Sequence, residues 1–200
     1  MENSEKNDGR RKEEKKESFF GELFRLTILA IIIVLPIRLY IAQPFIVNGA
    51  SMDPAFETSQ YLIIDQISYR FEEPKRGEVI VFYFPEDTSK FFIKRIIGLP
   101  EETVTIERGN VSVTTASGEN ISLDEPYIAP QNASDSTLAV KLGKNEYFVM
   151  GDNRESSSDS RIWGPLPRDL IVGRALVRLF PPTKMSIFPG LHDYNGEAGS

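Results

Sequence analysis

The residues of this chain that could do chemistry are serines and lysines, because the usual nucleophile–base pairs are missing. The 200 residues include no cysteine and a single histidine, His192, in a Pro/Gly-rich C-terminal segment. A cysteine nucleophile, a thiolate metal site and a disulfide framework are therefore excluded, and a histidine-based metal cluster is not expected. A serine enzyme would need another base, and a lysine can serve if it is neutral at the working pH.

Lys94 is the lysine whose neighbours best suit that role. In the segment Phe91-Phe-Ile-Lys-Arg-Ile-Ile, strand alternation puts Phe92 and Ile96 on the same face as Lys94. Apolar surroundings would lower the pKa of this amine by several units from about 10.4. The strand alone also fits a lysine that extends from a sheet edge into water.

A turn of small residues, Gly49-Ala-Ser-Met-Asp-Pro, supplies a candidate nucleophile, Ser51. Small residues before Ser51 would let a substrate backbone come close, and free N–H groups at such a turn can stabilise an oxyanion. Taken alone, the segment predicts only a turn. It also differs from the Gly-x-Ser-x-Gly elbow, because Asp53 stands where the second glycine would be.

A polar loop that follows an apolar strand, Gly151-Asp-Asn-Arg-Glu-Ser-Ser-Ser-Asp-Ser-Arg, is the third candidate. If the loop is extended, Ser157, Asp159 and Arg161 share one side. An Asp–Arg pair beside a serine hydroxyl could orient a buried amine. The alternative is a solvated polar loop; its spacing does not fit an EF-hand.

Residues 19–42 predict a transmembrane helix that acts as an uncleaved signal anchor. Its uncharged centre, Leu26–Ile37, has 12 residues. Because a span needs about 20 residues, Arg25 and Arg38 would have to extend to opposite interfaces. A buried core helix would show a polar stripe, and a cleaved signal peptide would need small residues before the cut; the segment has neither feature.

Basic residues indicate the orientation of this anchor. The charged tail, residues 1–18, contains six Lys/Arg, and after Arg38 the next basic residue is Arg70. The positive-inside rule therefore predicts a single-pass protein of the cell membrane with a cytoplasmic N-terminus and its remaining domain outside the cytoplasm. Residues 43–200 contain 15 Lys/Arg against 22 Asp/Glu, so nucleic acid is not expected as a partner.

The rest of the chain predicts a mostly β fold. Short runs of β-branched and aromatic residues lie between Gly, Pro, Asn and Asp. The candidate strands are Tyr61–Asp65, Glu78–Phe84, Phe91–Ile97, Thr103–Ile106, Asn110–Thr114, Tyr147–Met150 and Ile171–Phe180. We predict a catalytic core of residues 43–114 and 147–184, a smaller inserted lobe of residues 115–146 and a C-terminal tail of residues 185–200. Asn120 and Asn132 begin short glycosylation patterns that often occur by chance.

At the serine, lysine and polar-loop segments described above, the sequence resembles bacterial type I signal peptidases, the membrane-bound Ser/Lys endopeptidases. Four segments match in order: Gly49–Pro54, Arg76–Phe82, Lys94–Pro100 and Gly151–Arg161. The resemblance implies an antiparallel β catalytic core with a smaller β lobe inserted, preceded by one transmembrane helix. It also implies removal of signal peptides from exported preproteins at the outer membrane surface, with no metal or other cofactor. The partners would be these preproteins and the lipid bilayer.

The resemblance assigns roles to individual residues. It implies Ser51 as nucleophile, Lys94 as general base and a hydrogen bond from Ser157 to Lys94. Asp159 and Arg161 would form a supporting pair. Asp152 and Arg154 are two further supporting residues that the resemblance implies. It also implies four residues that line shallow apolar pockets for the small substrate residues at −1 and −3: Met52, Phe56, Phe92 and Ile93.

Three positions depart from the family pattern. Gly49 stands where many members have a serine whose hydroxyl helps to bind the oxyanion. Ala55 replaces a common threonine, and Glu101 follows Leu-Pro where glycine is usual. We therefore expect the Ser51 N–H to carry more of the oxyanion stabilisation and the turn at Glu101 to have an unusual shape.

Two other hypotheses remain open at this point. A LexA-like self-cleaving Ser/Lys protein shares the chemistry, but a DNA-binding helical domain would be expected in place of the anchor. A non-catalytic, membrane-tethered β-domain could bind signal peptides or envelope partners. An inactive relative of that kind would be expected to have lost Ser51 or Lys94, and both are present.

Overall fold

A computed structural model describes residues 19–36 and 42–194 of the chain, which divides into two units, residues 1–37 and 38–200. The described part of the first unit is helix α1 (Phe19–Pro36), whose side chains from Phe19 to Leu35 are exposed. Within the described residues, no helix is long and apolar enough to cross a membrane. The charged tail and part of the predicted anchor, residues 37–41, lie outside the described residues. The anchor therefore stays a prediction.

The second unit is built from antiparallel β-strands, which confirms the predicted mostly β fold. The strands are β1 (Ala42–Ile46), β2 (Tyr61–Asp65), β3 (Val79–Phe84), β4 (Asp87–Gly98), β5 (Thr103–Glu107), β6 (Asn110–Thr114), β7 (Asn120–Ser122), β8 (Leu138–Lys141), β9 (Glu146–Met150), β10 (Leu166–Pro167), β11 (Ile171–Phe180) and β12 (Ser186–Ile187). The larger sheet has the order β1-β2-β11-β3-β4-β9-β10, with β12 paired to β11. The smaller sheet has the order β7-β6-β5-β8. A short helix, α2 (Ser160–Trp163), follows β9.

The burial of each strand follows from its place in the sheet. Strand β3 lies between β11 and β4, and its residues Val79–Phe82 are all buried, as a continuous apolar run in a central strand requires. In β5 and β6 the buried residues alternate with threonine and serine, because one face of the smaller sheet covers a core. Each fully buried valine or isoleucine contributes about 1.5–3 kcal/mol.

All seven predicted strands are present, and β1 is the longest strand that sequence patterning missed. It ends the larger sheet and pairs only with β2, with Pro44 opposite Ile63. A proline cannot donate a ladder hydrogen bond, so it weakens the sequence signal of a strand, yet an edge strand tolerates it.

The boundaries of the smaller lobe differ from the prediction. The smaller sheet begins at Thr103, whereas the predicted lobe begins at residue 115. Strand β5 pairs with β8, and β6 pairs with β7. The hairpin formed by β5 and β6 therefore belongs to the smaller lobe. The segment predicted as a C-terminal tail packs on the core as far as Tyr194, which is buried. Its Pro/Gly-rich sequence gave no periodic signal for that packing.

Glu101, at the turn before β5, adopts a left-handed conformation with φ +67°. A residue with a Cβ atom is destabilised by roughly 1–2 kcal/mol in the left-handed conformation, and glycine is not. We therefore expect Glu101→Gly to raise the free energy of unfolding by about 0.5–1 kcal/mol. Chemical denaturation measures the change. The matched control is Glu86→Gly, at an exposed turn residue outside the left-handed region, which should destabilise the fold. A loss of stability in Glu101→Gly would contradict this reading of the turn.

Candidate active site

A groove of about 460 Å³ runs along the surface of the larger sheet. One wall is the segment from Phe45 to Ser51, which includes the end of β1, and the other is the β4 segment from Lys90 to Lys94. The remaining lining residues are Leu62, Val81, Ser156 and Ser158. Ser51 and Lys94 therefore lie in the same cavity, although 43 positions separate them in the sequence.

The side chains of Ser51 and Lys94 are in direct contact. The Nζ atom of Lys94 lies 2.7 Å from Ser51 Oγ and donates a second hydrogen bond to the carbonyl of Ile93 at 2.9 Å. The register of β4 on β3, with Lys94 opposite Ile80, fixes where the lysine leaves the sheet. A nucleophile and a base within hydrogen-bond reach have the geometry of an activated serine.

Burial changes the protonation of Lys94. Lys94 is only 3% exposed. This burial lowers the pKa of its amine to about 8. The carboxylates of Asp159 and Asp152 act in the opposite direction and limit the decrease. Since the neutral amine is the form that can accept a proton, burial gives Lys94 the property that a general base needs.

Ser51 opens a helical turn that buries its next neighbours. The Phe56 N–H donates to the Met52 carbonyl at 2.8 Å, so Met52 and Phe56 lie one turn apart on the same side. Both side chains pack in the core at 1% and 0% exposure. They are absent from the groove lining, contrary to the expectation that they line substrate pockets. Phe92 and Ile93, the other two residues expected there, do line the groove.

The polar loop after β9 is organised by Asp159. Its carboxylate caps α2, pairs with Arg161 Nε and Nη2, both at 2.8 Å, and accepts the Gly151 N–H at 3.0 Å. Arg161 also donates to the Arg154 carbonyl at 2.7 Å. The sequence pattern considered an extended loop. The structure differs, because the Asp159 cap starts a helix at Ser160.

Ser157 is buried but does not bind Lys94. Lys94 bonds to Ser51 Oγ and to the Ile93 carbonyl instead. The hydrogen bond that the family resemblance implied is thus not formed here. The hydroxyl sits beside Gly151, at the point where the loop approaches Ser51.

Asp152 has a buried partner that the sequence analysis did not assign. Arg95, which follows Lys94, forms a two-bond ion pair with Asp152 at 2.8 and 2.6 Å. Arg95 also donates to the Gly77 carbonyl at 3.0 Å. A signal was available: an arginine in an otherwise apolar, buried strand needs an acidic partner. Arg154 pairs with Glu125 of the connection between β7 and β8.

Gly151 has no space for a side chain. A Cβ atom there would meet Ser157 Oγ and the Ser51 carbonyl, and would lie 2.6 Å from Ser157 Cβ. We expect Gly151→Ala to destabilise the protein by about 1–3 kcal/mol and to reduce kcat at least tenfold, because the loop must move away from Ser51. Gly21→Ala is the control, since nothing lies within 4 Å of the added methyl group. Denaturation and steady-state kinetics measure both effects; unchanged kcat in Gly151→Ala would contradict the close approach.

In the described part of the chain, no three His, Cys, Asp or Glu side chains form a group that could hold a metal ion.

A family model and the sequences of curated relatives agree on one family. The family model "Signal peptidase, peptidase S26" matches residues 20–180. The "Probable signal peptidase I-2" of Synechocystis is 38% identical over 192 aligned residues, covering 93% of this chain and 85% of the relative. The signal peptidase I of Leptolyngbya laminosa is 36% identical, covering 86% and 85%. A signal peptidase I structure from Enterococcus faecalis has a TM-score of 0.44 and 26% identity, covering 52% of this chain and 97% of that one.

Proposed function

Because this chain belongs to the signal peptidase family, peptidase S26, we propose that it cleaves N-terminal signal peptides from exported preproteins with a Ser51–Lys94 dyad. The observation that carries the dyad is the 2.7 Å contact between Ser51 Oγ and the buried Lys94 Nζ. A serine beside an amine with a lowered pKa is a known route to a nucleophile without histidine.

The reaction would proceed in two proton-balanced steps. Neutral Lys94 accepts the proton of Ser51 Oγ, which attacks the carbonyl carbon of the −1 residue. The resulting lysine ammonium gives that proton to the departing amine, and the signal peptide stays on Ser51 as an ester. Lys94 then takes a proton from a water molecule that attacks the ester and gives it to the departing Ser51 Oγ, so that the signal peptide leaves with a free carboxylate and both Ser51 and neutral Lys94 are restored.

The backbone N–H of Ser51 is our candidate donor to the oxyanion. Gly49 offers no hydroxyl at the position where many relatives of this family have a serine. Its φ of +98° and the empty space around its Cβ position keep the approach to Ser51 open. The charged groups behind Lys94, Asp152 with Arg95 and Asp159 with Arg161, would hold the amine and the loop in place.

The substrate would bind as an extended chain along the groove, with small side chains at −1 and −3. Phe92 and Ile93 line one wall, and the end of β1 offers a strand edge to which a peptide can add. Aromatic rings join the two walls at one end of the groove, where the ring centroid of Phe45 is 5.1 Å from that of Phe91. Large side chains at −1 would meet these walls.

We propose that residues 19–42 anchor the enzyme in the bilayer, with residues 1–18 in the cytoplasm and the catalytic unit outside. The support is the sequence: six Lys/Arg precede Phe19, and the apolar segment follows directly. An enzyme held at the outer surface would meet the apolar segment of its substrate in the same bilayer.

The test uses the full chain in liposomes with a preprotein that carries an Ala-x-Ala site. We expect one cut after the −1 alanine, read from the intact masses of both products, and no cut when either alanine is replaced by tryptophan. Binding of the preprotein without any cut would contradict catalysis and favour a tethered binding domain. A cut within the enzyme chain alone would favour a self-cleaving protein.

A further inference from the structure

The turn that carries Ser51, residues Gly49–Phe56, has nearly all of its carbonyls in defined hydrogen bonds. We call this segment the nucleophile turn. Four of the bonds are local or come from the polar loop: Thr58 Oγ1 to Gly49 O at 3.2 Å, Asp53 N to Ala50 O at 3.2 Å, Asn153 N to Ser51 O at 3.1 Å and Phe56 N to Met52 O at 2.8 Å. The remaining two bonds come from side chains far away in the sequence.

The first distant donor is Asn132, in the connection between β7 and β8. It closes a short turn, Pro130–Asn132, and its Nδ2 donates to the Asp53 carbonyl at 3.0 Å. The two residues are 79 positions apart, so this bond ties the connection of the smaller sheet to the nucleophile turn. An amide that donates to a backbone carbonyl fixes the orientation of that peptide unit.

The second distant donor is Arg178, on strand β11. Its Nη2 donates to the Ala55 carbonyl at 2.8 Å, and its guanidinium carbon lies 4.9 Å from the centre of the Phe56 ring. Arg178 is only 9% exposed, and its Nε has no hydrogen-bond partner within the described residues. These residues place no carboxylate within ion-pair distance of it, although the charge of Glu57 acts to raise the pKa of Arg178.

The burial of this arginine destabilises the fold. Burial lowers the pKa of Arg178, which reflects the loss of hydration of its charge. A buried charge with an unsatisfied N–H destabilises a fold unless some other interaction compensates. The contacts that offset this loss are the hydrogen bond to the Ala55 carbonyl and the ring of Phe56, and both belong to the nucleophile turn.

We propose that Asn132 and Arg178 are positioning residues that hold Ser51 Oγ against Lys94 by fixing the two carbonyls at the base of the nucleophile turn. This proposal rests on the proposed function of Ser51. Without the two donors the turn can tilt, and a displacement of about 1 Å at a reacting atom can reduce the rate about a hundredfold. Neither side chain lines the groove, so substrate binding should change little.

Asn132→Asp tests the first donor. The side chain keeps its shape, but an oxygen that cannot donate faces the Asp53 carbonyl. We expect kcat for preprotein cleavage to fall about tenfold, with KM within about twofold of the native value. The matched control is Asn120→Asp, the same change at an exposed residue of β7, which should leave both constants unchanged.

Arg178→Met tests the second donor. Methionine keeps the packing on Phe56 and removes the charge, so we expect kcat to fall about tenfold while the melting temperature is equal or higher. A residue that served only stability would show the reverse pattern. Arg178→Lys keeps a donor and should retain more of kcat than Arg178→Met. The control is Arg168→Met, which loses a comparable bond, 2.6 Å to the Tyr69 carbonyl, away from the turn.

A readout that needs no activity accompanies the kinetics. Amide hydrogen exchange of Asp53 and Phe56 should be faster in Asn132→Asp and Arg178→Met and unchanged in the two controls. Native kcat and native exchange in both variants would overturn the proposal, as would losses that the controls match. If the native enzyme cuts no preprotein, the proposed function fails, and the exchange rates alone decide whether the two donors hold the turn.

Discussion

Ser51→Ala should reduce kcat for preprotein cleavage by at least about 1,000-fold, because the reaction then lacks the oxygen that forms the acyl-enzyme. Only the hydroxyl is removed, and the methyl group fits the space that Ser51 Cβ already occupies. The fold and the groove should remain, so the variant should still bind the preprotein. The rate that survives would come from binding and oxyanion stabilisation without a covalent step.

Intact mass of the products and single-turnover rates measure this loss. Ser117→Ala is the control, because Ser117 is exposed in a turn of the smaller sheet and its hydroxyl contacts that of Thr115, away from the groove. It should cleave at the native rate. A Ser51→Ala enzyme within tenfold of the native kcat would mean that another group attacks the substrate.

Lys94→Met should cause a loss of similar size for a different reason. Methionine has nearly the length of lysine and suits a site that is 3% exposed, so the protein should fold and bind. The variant lacks the amine that accepts the proton of Ser51, and a serine hydroxyl at neutral pH is a weak nucleophile without a base. We expect kcat to fall at least about 1,000-fold with little change in KM.

The pH dependence of the native enzyme tests the role of Lys94 as a base without any substitution. Lys94 must be neutral to act, and its pKa is lowered to about 8. The value of kcat/KM should therefore rise with pH, about tenfold per unit well below pH 8, and level off above it. Lys141→Met, at an exposed residue of β8, should leave this profile unchanged. A limb with the pKa of a water-exposed lysine, about 10.4, would contradict the role of Lys94.

The sequence predicted the elements with strong local signals. Runs such as Val79–Phe84 alternate or stay apolar over their whole length, and each forms a strand. The apolar neighbours of Lys94 made it a candidate base but fitted a lysine at a sheet edge equally, and only the family resemblance joined it to Ser51. That resemblance rests on four segments spread along the chain rather than on one short stretch.

Features that depend on long-range packing could not be obtained that way. The pairing of Arg95 with Asp152 joins residues 57 positions apart, and its geometry exists only once β4 and β9 are neighbours. The family resemblance assigned Met52 to a substrate pocket, and the single helical turn that directs it into the core is too short to leave a periodic pattern in the sequence. Asn132 resembled a chance glycosylation pattern until the fold placed it beside Asp53.

We propose that Lys94 is the base and that it acts in its neutral form. The most direct measurement follows the Cε resonance of ¹³C-labelled Lys94 against pH, assigned by its absence in Lys94→Met, alongside kcat/KM of the same sample. We predict that both titrate together with a midpoint of about 8. A Lys94 resonance that titrates near the ordinary value of about 10.4, while the rate rises with another midpoint, would contradict the claim.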